Sequence, residues 1–302
     1  MSKRKNLTDE DLLAELKLRF EQNKKALEEL KSLNEELILV NKKLEESESL
    51  KSHFVSNITN EIINPFTSIL GLSKAILSVD KENWKRVFSM VALIHAEAFS
   101  LDFQFRNIFV AAKIEAGEIS PEIFTCDIQN LVESVIDDFK YEARKKRVNV
   151  KSQYNLPHKS DESFVFKTDP EKLKLILSNL LRNAINFSYE DSSVEINVWH
   201  SENNTLQISV KDYGIGISKE NHTIIFDRFN RLDSGINSIN RGHGLGLSVS
   251  RAIIDMLKGK IEIESEIGQG ACFTLVIPES EANSEGFASD ANEAFFNDFD
   301  QF

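Results

Sequence analysis

The first part of the chain repeats apolar positions at alternating steps of three and four residues. The seam is formed by Leu13, Leu16, Phe20, Asn23, Leu27, Leu30, Asn34, Leu37, Asn41 and Leu44. No Gly or Pro precedes Pro65, so a long helix in a coiled coil is predicted. Asn34 and Asn41 fall on a positions, where buried amides favour a parallel, in-register dimer. The alternative is a single amphipathic helix lying on a globular domain.

Past Leu44 the phase of the repeat slips, and the seam continues through Leu50, Phe54 and Ile58. Such a stutter is suited to transmitting rotation or unwinding.

A second helix is predicted over about 84–116, ending at Gly117 in a C-terminal cap position. Its apolar residues Phe88, Val91, Ile94, Phe99, Phe103, Ile108 and Phe109 predict a four-helix bundle formed by two chains.

Beyond residue 120 the pattern changes to short apolar strands that alternate with helices. Strands are predicted at 194–200, 206–211, 260–265 and 271–277, and helices at 127–146, 170–187 and 245–257. This arrangement predicts an α/β sandwich. The remaining residues, 279–302, are acidic, contain five Phe and no Lys or Arg, and are predicted to be disordered in isolation.

The composition is typical of a globular protein, since 41% of the 302 positions are hydrophobic and 28% are charged. No apolar run approaches the roughly 20 residues of a membrane span, and no signal-peptide core is present, so a cytoplasmic protein is expected. The net charge of −12 argues against a nucleic-acid partner. Cys126 and Cys272 have no metal-ligand spacing and are expected to be reduced.

Three segments predict an ATP pocket. The run LSNLLRNAINFS (177–188) presents Asn179 and Asn183 one helical turn apart, and an amide oxygen suits Mg²⁺. Asp212 ends a strand and precedes the glycines of DYGIGI (212–217), where a carboxylate can accept a hydrogen bond from the adenine amine. GHGLGL (242–247) leads into a helix whose N-terminal amides suit a polyphosphate.

In this order, and with Phe226-Asp227-Arg228-Phe229 between the glycine segments, the motifs resemble the catalytic domain of sensor histidine kinases. The resemblance extends over about 47–278. It implies that Asn183 binds Mg²⁺, Asp212 reads adenine and Phe187 covers its ring. It also implies that Phe226 and Phe229 anchor a mobile lid. The other cofactor-binding residues that it implies are Asn179, Asn186, Gly214, Gly216, Arg228, Gly242, Gly244, Leu245 and Gly246.

The implied fold class is α + α/β. A coiled coil (1–46) and an antiparallel helical hairpin (47–118) form a dimeric four-helix bundle, followed by a Bergerat-type α/β sandwich that binds ATP (119–278).

Two departures from the family pattern concern the pocket. Asn179 stands where related ATPases have a Glu that activates water, so direct hydrolysis is not expected. Asn186 stands where the family usually has a basic residue, and His243 stands where a small hydroxyl residue is common.

A third departure concerns the phosphoacceptor. The segment HFVSNITNEIINPFTSILGL (53–72) resembles the family's acceptor box, with Asn60 in place of the histidine. A carboxamide nitrogen is not a usable nucleophile because its lone pair is delocalised. Autophosphorylation at this position is therefore expected to be blocked, although Glu61, which normally assists the imidazole, is retained.

The sequence thus predicts a signalling protein that binds Mg-ATP as a homodimer and controls a response-regulator receiver domain. Four alternatives stay open. In the first, the chain is a non-catalytic, ATP-gated module (a pseudokinase) that pairs with a partner kinase or receiver. In the second, it is a response-regulator phosphatase that positions water with Asn64, and in the third it is an active kinase carrying an introduced His-to-Asn substitution. In the fourth, it phosphorylates another histidine, of which His53 is the nearest on the same helical face.

Overall fold

The computed structural model describes residues 9–79, 83–157, 164–201, 203–227 and 244–280. Within the first helix, side chains are described for Leu13, for 15–42 and from Ile62 onward. The chain divides into two compact units, Met1–Ser56 and Asn57–Phe302. No helix in the described ranges is both long and apolar enough to cross a membrane.

The first unit is the N-terminal part of helix α1 (Asp9–Leu77). The apolar side chains of the predicted seam are 56–70% exposed here: Leu13, Leu16, Phe20, Leu27, Leu30 and Leu37. Because one helix cannot bury its own stripe, this surface is left without apolar cover within the unit.

The second unit begins with the rest of α1, which continues through Pro65 to Leu77, and with α2 (Trp84–Ala116). Gly117 ends α2 in the left-handed conformation, φ +68, as the sequence predicted. The N–H of Glu118 then donates to the carbonyl of Lys113 at 2.9 Å, which satisfies a carbonyl of the last turn.

The remainder is an α/β domain. Its strands are β1 (Phe124–Asp127), β2 (Asn149–Asn155), β3 (Val165–Thr168), β4 (Ser193–Ser201), β5 (Thr205–Asp212), β6 (Lys260–Glu266) and β7 (Gly270–Pro278). Its helices are α3 (Ile128–Asp138), α4 (Lys140–Lys145), α5 (Pro170–Phe187) and α6 (Gly246–Met256). Two short 3₁₀ turns, Lys219–Asn221 and Ile224–Phe226, follow β5.

Five strands form one mixed sheet in the order β2-β4-β5-β7-β6, and β1 pairs with β3 in a separate antiparallel pair. Only β2 and β4 run parallel among neighbours in the larger sheet. Alternate residues of its central strands are buried, including Ile196, Ile208 and Leu275, and helices α5 and α6 pack against the sheet. The described helices and mixed sheet agree with the predicted fold class in its coarse outline.

The structure corrects one predicted helix and adds three strands. The helix predicted over 127–146 is two helices, α3 and α4, that are separated by Phe139. The Phe139 side chain is 1% exposed and meets the rings of Phe99 and Phe103 edge-on, at 5.5 and 5.9 Å. Tertiary packing of one aromatic ring thus overrides a continuous helical pattern. Strands β1, β2 and β3 were not predicted, since they are short or mostly polar.

Candidate functional site

Asp212 lies at the end of β5 and is 5% exposed. Its Oδ1 accepts a hydrogen bond from the N–H of Ala271 at 3.2 Å, and the N–H of Gly214 also donates to the carboxylate. Burial raises the pKa of Asp212 to about 6, against the opposing effect of these donors and of the Lys146 charge. The site therefore holds a buried carboxylate that changes charge just below neutral pH.

Glycines bring the backbone around Asp212 into direct contact with neighbouring segments. A Cβ at Gly214 would lie 1.9 Å from the carbonyl oxygen of Phe187, and one at Gly216 would lie 1.9 Å from that of Glu266. A Cβ at Gly270, where φ is +83, would lie 2.1 Å from the carbonyl oxygen of Asp212. Only glycine fits these contacts, and they fix the segment after β5 between α5 and the β6–β7 turn.

Helix α5 carries the two predicted asparagines. Its first turn is capped by the buried Asp169, which accepts a hydrogen bond from the N–H of Lys172 at 3.0 Å, and Pro170 occupies the first helical position. Asn179 is 2% exposed, whereas Asn183, one turn later, is half-buried.

The side chain of Asn179 and those at the C-terminal end of α5 have different surroundings. Asn179 Nδ2 donates to Asn107 Oδ1 at 2.8 Å and to Ser250 Oγ at 3.3 Å, so its amide group faces α2 and α6. Asn186 is half-buried and Phe187 is exposed at the C-terminal end of α5. The structure thus separates Asn179 from the exposed end of the helix, where Asn186 and Phe187 lie.

The second glycine segment leads into α6. Gly244 has φ +68, Leu245 is buried, and Gly246 begins the helix. A Cβ at Gly246 would lie 3.0 Å from Asn179 Oδ1, so the start of α6 is packed directly against α5. The first amides of α6 provide donors suited to an anion.

Phe226 is half-buried and meets Phe273 edge-on at 6.4 Å, and the Arg251 guanidinium lies 5.5 Å from the centre of its ring. The predicted site residues Arg228, Phe229 and Gly242 lie outside the described residues, as does His243. The side chains of Asn60 and Glu61 also lie outside the described part, whereas Asn64 is exposed on α1.

Sequence reasoning missed Lys146, at the C-terminal end of α4. Its Nζ donates to the carbonyl oxygen of Asn186. Burial lowers the pKa of Lys146, and the charges of Glu190 and Asp212 raise it. The ammonium thus lies at the end of α5 where the resemblance leads one to expect a basic side chain. The basic run at 144–147 was the available signal, but nothing in it distinguishes this lysine from its neighbours.

Comparisons with known proteins agree with the predicted resemblance. Residues 168–281 match the family model described as Histidine kinase-, DNA gyrase B-, and HSP90-like ATPase. The chain is 29% identical over 235 residues to Circadian input-output histidine kinase CikA of Synechococcus elongatus, covering 76% of the chain and 30% of that protein. It is 30% identical over 264 residues to Sensor protein GacS of Pseudomonas syringae pv. syringae, covering 86% of the chain and 28% of that protein.

Among solved structures, the fold is similar to that of full-length ShkA, crystallised in complex with AMPPNP. The TM-score is 0.53 at 22% identity, and the match covers 77% of this chain and 47% of that one. The chain therefore shares its fold with ShkA, and it spans less than a third of the length of the two relatives CikA and GacS.

We predict that Gly270→Ala distorts the surroundings of Asp212 far more than Gly268→Ala does. Both glycines have a positive φ, but a Cβ at Gly268 meets nothing within 4 Å. Gly268→Ala should cost only the backbone strain, about 1 kcal/mol of unfolding free energy, and Gly270→Ala at least about 2 kcal/mol more. Urea denaturation followed by circular dichroism measures both. Equal losses would contradict the contact with the Asp212 carbonyl.

Proposed function

The chain belongs to the two-component sensor histidine kinase family, and on that basis we propose that it binds Mg-ATP and controls a response regulator. The buried carboxylate of Asp212 is the observation that carries this proposal. Out of contact with water, an ionised carboxylate binds an amine donor such as that of adenine strongly. The glycine contacts hold the backbone around Asp212 tightly against its neighbours, so the position of the carboxylate is fixed.

Residues at the start of α6 and on α5 are suited to the polyphosphate of ATP and its Mg²⁺. Gly244, Leu245 and Gly246 present the N-terminal amides of α6, and the half-buried amide of Asn183 offers one neutral oxygen to Mg²⁺. Magnesium usually takes its other ligands from phosphates and water, so one protein oxygen is enough for such a site. Mg²⁺ neutralises phosphate charge when it is bound. Lys146 adds positive charge at the Asn186 end of α5.

Phosphoryl transfer to residue 60 is the step that we expect to be blocked. A nucleophile with an available lone pair is required, and Asn60 has none. Asn179 cannot act as a base, and its amide is engaged by Asn107 and Ser250. We therefore propose that the chain binds ATP without autophosphorylation at residue 60, and that it acts on its partner through conformation.

Asn60→His tests whether the remaining machinery is a complete kinase. With Mg²⁺ and γ-labelled ATP, we expect acid-labile, base-stable label on Asn60→His and none on the unchanged chain, because the acceptor position then carries an imidazole nitrogen in place of a carboxamide nitrogen that is not nucleophilic. Asn60→Ala is the matched control, and adding Asp212→Asn to Asn60→His should remove the label. Label on the unchanged chain would mean that another histidine serves, and His53 would be replaced first.

Ionisation of Asp212 makes adenine binding depend on pH. The ionised carboxylate accepts a hydrogen bond from the amine more strongly than the protonated carboxyl does, and the pKa of Asp212 is raised to about 6. Adenosine affinity should be constant above about pH 7 and fall about tenfold per unit below pH 6, where the carboxyl is protonated. Adenosine has no phosphate, so phosphate titration does not contribute. Asp212→Asn should weaken binding by about 1.5–3 kcal/mol and abolish the pH dependence, as measured by calorimetry.

We further propose that the exposed seam of α1 pairs with a second copy as a parallel coiled coil. Leu30 lies on the seam and Leu39 on the opposite side, and both are more than half exposed. Leu30→Lys should weaken dimerisation, because a charge in the seam is costly, whereas Leu39→Lys should leave the dimer dissociation constant unchanged. Sedimentation equilibrium measures both. A dimer dissociation constant that Leu30→Lys leaves unchanged, or a monomeric unchanged chain, would contradict this pairing.

A further inference from the structure

Ser188, directly after the last residue of α5, has a buried hydroxyl without a partner. The residue is 4% exposed, and its backbone N–H donates to the carbonyl of Ala184 at 3.0 Å. Its Oγ, in contrast, is buried and has no hydrogen-bond partner among the described residues. Because buried hydroxyls in proteins are normally hydrogen-bonded, an unpartnered one indicates a place where a ligand or a water completes the bond.

The backbone of Ser188 is held against the segment that carries Asp212. Ser188 forms an antiparallel bridge with Gly214, and a backbone hydrogen bond joins the two segments on either side of this pair, at 3.3 and 3.2 Å. Residues that face each other between such bonds form the closer type of antiparallel pair, with Cα atoms about 4.5 Å apart. Glycine permits this approach, since a Cβ at Gly214 would lie 2.8 Å from the Ser188 Cα.

Burial alternates along both segments of this pairing. In the ranges 212–215 and 187–189, Asp212, Gly214 and Ser188 are buried, and the other residues are exposed. Successive side chains of an extended backbone point to opposite faces, so the Ser188 hydroxyl points to the same side as the Asp212 carboxylate. The two residues are diagonal neighbours across the pairing, about 7–8 Å apart at Cα. This separation leaves room for one ligand edge to bond to both side chains.

The carboxylate and the hydroxyl have complementary hydrogen-bond roles. An ionised Asp212 only accepts hydrogen bonds, whereas the Ser188 hydroxyl has a proton to donate. No described hydrogen bond joins the two side chains, although the N–H groups of Ala271 and Gly214 donate to the carboxylate. Adenine presents the matching order along one edge, because its exocyclic amine is a donor and the neighbouring ring nitrogen N1 is an acceptor.

We propose that the Ser188 hydroxyl donates to N1 of adenine while Asp212 accepts from the neighbouring amine, so that Ser188 is a second determinant of base specificity. This inference rests on the proposed nucleotide site. With Asp212 alone, the site would read only the amine. A buried polar group that a ligand leaves unpaired disfavours that ligand, so a donor opposite N1 selects against bases that lack an acceptor there.

Two nucleosides that differ only at N1 test this assignment in the full chain. In 1-deazaadenosine a C–H replaces N1, and the amine is kept. At about pH 8, where Asp212 is ionised, the unchanged chain should bind adenosine about three- to tenfold more tightly than 1-deazaadenosine, as measured by calorimetry. Ser188→Ala should lose this preference by weakening adenosine binding alone. Ser188→Thr keeps the hydroxyl and should keep the preference.

Thermal unfolding separates recognition from a structural role of Ser188. Removing a buried hydroxyl that has no partner should not lower the unfolding temperature of Ser188→Ala. Ser192→Ala is the matched control in the same loop, since the Ser192 Oγ donates to the carbonyl of Tyr189 at 2.6 Å. It should leave the preference for adenosine over 1-deazaadenosine unchanged.

The same titrations distinguish two kinds of failure. If adenosine binding depends on Asp212 but Ser188→Ala keeps the full preference for adenosine over 1-deazaadenosine, the role of Ser188 is wrong while the nucleotide site stands. A lower unfolding temperature with an unchanged preference would likewise assign Ser188 a structural role only. If adenosine does not bind, or if Asp212→Asn leaves its affinity unchanged, the proposed function fails and the role of Ser188 fails with it.

Discussion

The burial of helix α5 is the constraint on which the rest of the second unit depends. Eleven of its 18 residues are buried, because one side packs on the sheet and another contacts α2 and α6. Asp169 fixes its start, and the carbonyl of Phe187 at its end touches Gly214. Because α5 is held at both ends and on two sides, the positions of its Asn179 and Asn183 side chains along the helix are fixed. The Asp212 carboxylate, the start of α6 and the face of α2 are all positioned relative to it.

The pocket and the acceptor position depart from the family pattern to different degrees. Asp212, its neighbouring glycines and the glycine segment before α6 keep the residue types on which the proposed nucleotide site depends. Asn60, in contrast, removes the nucleophile while the surrounding acceptor box is kept.

Much of the fold followed from local pattern, and the failures have specific causes. Helix α5 and the end of α2 were predicted at their observed residues because caps and turn residues are local signals: Asp169-Pro170 at one, Gly117 at the other. The break at Phe139 was missed because it depends on two rings from α2, more than thirty positions away in sequence. Strand β2 was missed because its residues are mostly polar, and its pairing partner β4 lies beyond α5.

The sequence by itself determined the chemical inventory: a carboxylate after a strand, two amides one turn apart, glycines before a helix, and no imidazole at residue 60. Each depends only on residue identity and short spacing. Only the tertiary structure decided how these groups are used. It separated Asn179 from Asn183 by burying one amide against Asn107, brought Lys146 to the carbonyl of Asn186, and raised the pKa of Asp212 by burial. Burial and contacts between distant segments arise only when the chain is packed, so no local pattern contains them.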